Sequence, residues 1–101
     1  RPSVDDISWL FWDLIGLDSY VTGSLTFREI RSQLNHGNPI LLQYGDYYSG
    51  HFVVLHGYDN DGHVYIHEPN YGTRVIHYDD LYYRVFHGEG HYWESSLIIL
   101  D

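Results

Sequence analysis

Gly50-His51-Phe52-Val53-Val54-Leu55-His56-Gly57-Tyr58-Asp59, running through Asn60 into Asp61-Gly62-His63-Val64-Tyr65-Ile66-His67-Glu68-Pro69, is the stretch that decides how this chain folds. β-branched and aromatic residues fill both arms, and Asn60-Asp61-Gly62 between them is a turn signal. The stretch therefore reads as a β-hairpin that starts on a histidine and returns on a carboxylate. Adjacent antiparallel strands bring opposed residues to about 4.5–5.5 Å, so His51 and Glu68 can face one another across the pair. Their positions about the turn are out of parity by one residue, and a β-bulge is needed to put both on one face of the sheet.

Outward from this hairpin, everything after Pro39 is strand-rich. Strands are expected near 39–45, 51–59, 63–67, 73–78 and 92–100, joined by Asp46-Tyr47-Tyr48-Ser49-Gly50, Asn60-Asp61-Gly62, Asn70-Tyr71-Gly72 and a longer stretch around Gly88-Glu89-Gly90. These connections suit an antiparallel meander. Asp79-Asp80-Leu81-Tyr82-Tyr83 is expected to form one helical turn before the last strand. Upstream the apolar period changes to that of a helix. Ser3-Val4-Asp5-Asp6 starts one, with Ile7, Leu10, Phe11 and Leu14 at helical spacing and Gly16 at its end. Thr26-Phe27-Arg28-Glu29 fits a capping box for a second, with Phe27, Ile30 and Leu34 as its apolar side and Gly37 as its stop. The expected fold is α+β: two N-terminal helices followed by a mostly antiparallel sheet of about five strands.

The 101 residues fit a single domain, residues 1–101, with one modest core. With 44% apolar residues and 18% aromatics the chain is too hydrophobic for a disordered segment. Fourteen Asp and Glu stand against five Arg, and there is no Lys. Such a surface repels phosphate backbones and anionic headgroups, so nucleic acid is excluded as a partner and a cationic peptide is favoured. Eight histidines make the charge pH-sensitive. No run of about 18 apolar residues offers a membrane span. The start at Arg1-Pro2, with neither an initiator Met nor a signal sequence, is expected of a piece of something longer.

The order Gly-Ser-Leu-Thr-Phe (23–27), a helix, Gly-Asn-Pro-Ile (37–40), a strand, Gly-His-Phe-Val-Val-Leu-His-Gly-Tyr-Asp (50–59), Val-Tyr-Ile-His-Glu-Pro (64–69) and Tyr71-Gly72 resembles the C-terminal half of papain-like cysteine peptidases. The likeness is nearest to bacteriocin-processing peptidases and related secreted bacterial effector proteases, and runs from about Leu25 to Leu100. It implies that His51 is the general base and Glu68 the acid that orients it, with Trp93 in a structural position near the last strand. It implies a peptide or protein substrate and no cofactor. The relatives usually carry Asp before the Pro, and Glu68 is one methylene longer. The residues themselves leave the compartment open, although the likeness to secreted effectors points to export.

A papain-like site needs a thiolate, and the chain contains no cysteine. The expectation is that the nucleophile helix lies upstream of Arg1 or on a partner chain, and that a partner chain or a self-dimer covers the aromatic surface left exposed by the missing half. Ser8, in Ser8-Trp9-Leu10-Phe11, echoes the Cys-Trp-x-Phe run of the relatives but stands close in sequence to His51 and lacks the upstream glutamine. Ser49 is badly placed to be activated by its neighbour. Two other readings stay open. One is an inactive peptidase-like module that binds peptide through groove tyrosines such as Tyr47 and Tyr48. The other is a histidine-rich metal site from His63, His67 and Glu68, or from His87 and His91 on a helix.

Overall fold

The computed structural model describes residues 18–45, 50–69 and 71–100. Strand β1 (Ser19–Thr22) comes first, then helix α1 (Phe27–Asn35), β2 (Ile40–Tyr44), β3 (His51–Tyr58), β4 (His63–Glu68) and β5 (Gly72–His77). A single 3-10 turn (Tyr78–Asp80) leads into β6 (Tyr83–Phe86) and the long β7 (Glu89–Ile99). The strands form one antiparallel sheet in the order β1-β7-β2-β3-β4-β5, and β6 pairs with the start of β7.

The central meander follows from alternation. In β2, β3 and β4 every second residue is apolar and buried, namely Ile40, Leu42 and Tyr44, then Val53 and Leu55, then Val64 and Ile66. Burying that face against Ile30 of α1, with Leu81, Phe86, Trp93 and Ile98, makes the core. Helix α1 starts where its sequence places it. Thr26 Oγ1 accepts the Glu29 N–H at 3.1 Å while Glu29 Oε1 accepts the Thr26 N–H at 2.9 Å, which is the full capping box. Gly37, with φ of 86°, lets the chain leave the helix in the left-handed region.

The expected α+β layout of two N-terminal helices and about five strands is corrected by these elements. The described residues hold seven strands and one helix, and the protein is mostly antiparallel sheet. The expected first helix lies outside the described residues. The two additional strands are β1 and β6. Both are four residues long, and both exist because β7, eleven residues long, offers them a ladder: β1 pairs along Ser96–Ile99, and β6 along Glu89–Tyr92. The helical turn expected over Asp79–Tyr83 is shorter and one residue earlier. His77 Nδ1 accepts the Asp79 N–H at 3.1 Å and caps it.

Two bulges shape the sheet. In β3, Leu55 lies opposite Ile66 and Gly57 opposite Tyr65, which leaves His56 as the extra residue. The Tyr65 ring closes over this point. A Cβ on Gly57 would sit 2.5 Å from Tyr65 Cδ2, so glycine is required there. In β7, Gln43 lies opposite Ser95 and Tyr44 opposite Trp93, with Glu94 as the extra residue.

Candidate active site

His51 opens β3, and its cross-strand partner on β2 is the fully buried Tyr44. Glu68 closes β4 and is buried, with a side chain only 3% exposed. The bulge at His56 decides their relation. Beyond it Val54 pairs with His67, so Val53 and Glu68, the next residues along, turn to the other face; both are buried. Side chains alternate along a strand, so His51 shares the face of Val53 and therefore of Glu68. Without the extra residue the register would set Glu68 on the face opposite His51.

On that face the third element is β6. Arg84 and Phe86, two apart, both point inward. Arg84 Nε donates to Glu68 Oε1 at 2.8 Å and Nη2 donates to the same oxygen. Arg74, on β5, places Nη1 3.6 Å from Glu68 Oε2. The Glu68 carboxylate is thus held by two guanidinium groups, one nearly buried and the other half exposed. The Phe86 ring lies flat on the His51 imidazole, with centroids 4.5 Å apart and planes at 6°. Tyr44 packs against Phe86 at 5.3 Å and donates its hydroxyl to the Leu81 carbonyl at 2.5 Å. Burial pushes the Tyr44 hydroxyl pKa well above its ordinary value, the Arg84 charge opposes that, and the Glu68 charge adds to it.

Two more imidazoles border His51: His91 at a centroid distance of 5.1 Å and His87 at 5.9 Å. They come from one hairpin and not from the helix that their spacing suggested. His87 and Gly88 are its two-residue turn, with φ of 53° and 80°, and His91 lies opposite Arg84 on β7. The Tyr71 hydroxyl accepts the His87 N–H at 3.2 Å and lies 3.3 Å from its Nδ1. His91 Nε2 is buried without a hydrogen-bond partner among the described residues.

The other expected metal set, on β4, does not converge. His63 and His67 share one face of β4 and Glu68 takes the other, while His63 Nδ1 is 3.0 Å from Asp59 Oδ2. Among the described residues no group of three or more histidine and acidic side chains is arranged to hold a metal ion. Trp93 is buried beside Tyr44 and donates its Nε1–H to Ser96 Oγ at 2.8 Å. Ser8, Tyr47, Tyr48 and Ser49 lie outside the described residues. Sequence reasoning missed Arg84 and Phe86, and took His91 only as a candidate metal ligand and not as a neighbour of His51. Tyr83-Arg84-Val85-Phe86 does alternate, but four residues are too few for that alternation to announce a strand.

A family model described as Peptidase_C39 like family matches residues 9–96. The chain belongs to that family. The match covers the stretch from Leu25 onward, short of its last four residues, on which the resemblance to papain-like cysteine peptidases rested, and this is a peptidase-related domain. Comparison with curated proteins and with solved structures finds no match. No helix among the described residues of this Peptidase_C39-like domain is long and apolar enough to cross a membrane.

Proposed function

We propose that residues 1–101 are one domain carrying the base side of a papain-like cysteine peptidase site. It hydrolyses peptide bonds with a thiolate supplied by residues outside this chain, either upstream or on a partner chain. His51 is the general base. It takes the thiol proton as sulfur attacks the scissile carbonyl, and returns it to the leaving amine as the carbon–nitrogen bond breaks. Water then attacks the acyl-enzyme, His51 accepting its proton, and the thiol and the free carboxylic acid are regenerated. Glu68 stands at the position of the orienting acid. The observation that carries this reading is the bulge at His56, which turns the His51 and Glu68 side chains to the same face at the same end of adjacent strands.

A second reading is favoured by a different observation. Arg84 and Arg74 engage the Glu68 carboxylate, as expected of a structural anchor in a peptide-binding module without turnover. One comparison separates the two. The parent, meaning a longer protein with the upstream residues or the chain together with its thiol-bearing partner, and the 101-residue chain alone are assayed side by side for hydrolysis and for binding of the same peptide. The peptidase reading predicts turnover by the parent alone, abolished by a thiol-alkylating reagent. Binding by both with turnover by neither sinks it and leaves the module.

A further inference from the structure

The short 3-10 turn and the residue just before β6 build a second feature, away from the imidazoles around His51. Ser24, Tyr78, Asp79, Tyr82 and Trp93 line a recess of about 230 Å³. That is below the roughly 300–1,000 Å³ of sites that enclose a whole ligand, and it suits one side chain. Three of the five residues are aromatic and one is a carboxylate. The polar ends of two of the aromatic residues are already committed: Tyr78 Oη donates to the Leu25 carbonyl at 2.5 Å, and Trp93 Nε1 donates to Ser96 Oγ at 2.8 Å. What Tyr78 and Trp93 offer the recess is π surface rather than donors.

Asp79 supplies the charge. Its side chain is 81% exposed, and its Oδ2 lies 3.5 Å from His77 Nδ1. That same Nδ1 accepts the Asp79 N–H at 3.1 Å, so the imidazole is already engaged by the backbone of the turn.

We infer that this recess is a recognition pocket for one cationic side chain, a lysine or arginine presented by a peptide. Aromatic faces attract a cation through the ring quadrupole, and a carboxylate at the rim completes the match. The field around Tyr78 agrees in sign. Partial burial, then the Glu29 and Asp79 carboxylates, raise its hydroxyl pKa above the ordinary value. The whole chain has a formal net charge of −9, which draws cationic peptides toward it. The pocket does not depend on turnover and stands whether or not the peptidase reading holds.

The test uses the 101-residue chain and small probes: Nα-acetyl-arginine amide, Nα-acetyl-lysine amide and the neutral isostere Nα-acetyl-citrulline amide. Binding is followed by indole fluorescence and by amide chemical shifts at Asp79 and Tyr82. The arginine or the lysine probe is expected to bind about tenfold more tightly than citrulline, with the shifts confined to the recess. Asp79→Asn is expected to weaken it about three- to tenfold, and Tyr82→Ala about two- to fivefold. Both positions are exposed, so neither variant threatens the fold. Equal binding of the charged probes and citrulline on the wild-type chain overturns the inference without any variant. So does cation binding that both variants leave unchanged.

Discussion

Replacing Arg84 by methionine removes the two hydrogen bonds that hold Glu68 Oε1 while leaving the carboxylate in place, 97% shielded by the surrounding strands. Breaking a buried ion pair by deleting one partner costs about 3–5 kcal/mol, because the remaining charge is left uncompensated. Arg74 offsets part of that loss. Its guanidinium stays 3.6 Å from Oε2, but it is half exposed and its attraction is screened by solvent. A net loss of about 2–4 kcal/mol remains, equivalent to a fall in Tm of about 10–25 °C for a domain of this size. Urea unfolding followed by tryptophan fluorescence measures it. A double variant, Arg84→Met with Glu68→Leu, replaces the pair by apolar groups and is expected to recover to within about 1 kcal/mol of wild type. The reasoning is refuted if Arg84→Met costs less than about 0.5 kcal/mol, or if the double variant is no more stable than the single.

Three further perturbations read other parts of the structure. Tyr44→Phe leaves the Leu81 carbonyl without its donor and is expected to cost about 1–3 kcal/mol at neutral pH by urea unfolding. Because the folded state raises the Tyr44 pKa above the ordinary value of 10.0, that hydroxyl's contribution is complete below about pH 10 and lost as pH rises further, so the variant has a flatter alkaline limb in a pH series of melts. The Asp59 carboxylate is held below its ordinary pKa, chiefly because it accepts the His63 backbone N–H, with partial desolvation opposing and the Asp61 N–H and the His63 side chain helping. Its contribution is present above that ordinary value and lost as pH falls through the lowered one, so the stability gap between wild type and Asp59→Ala closes as melts are taken from about pH 5 down to about pH 2. Thr26→Ala removes one half of the capping box and is expected to cost about 1 kcal/mol by denaturant titration, while Thr26→Ser restores most of it.

The meander was legible in the sequence because its residues satisfy two demands at once. Ile40, Leu42, Val53, Leu55, Val64 and Ile66 have both β-propensity and strict alternation, and the strands they form lie within a residue or two of where those signals put them. Thr26 and Glu29 marked the helix start for an equally local reason. Strands β1 and β6 were not legible. Ser19–Thr22 and Tyr83–Phe86 are too short to carry a period, and each is stabilised by a ladder to β7, which lies more than 70 residues away for β1. The turn between β6 and β7 was hidden as well, since His87 is a non-glycine residue in the left-handed region where the familiar hairpin signals carry Asn or Asp.

At the candidate site the parity of His51 and Glu68 called for a bulge, and the register supplies one at His56. What no local reading could supply was the company those residues keep. The contacts of Arg84 with Glu68 and of Phe86 with His51 form only when β6 folds back over the face of the sheet, so they depend on a strand that the sequence did not announce.

The central claim is that His51 moves the proton in a thiol peptidase reaction. It is tested most directly by measuring kcat/KM of the longer parent protein on a peptide substrate with His51→Ala, beside His91→Ala as a neighbouring imidazole control. Loss of a general base costs about 10²–10⁴-fold, so His51→Ala is expected to fall by that factor while His91→Ala stays within about tenfold of wild type. Turnover that survives His51→Ala undiminished contradicts the account.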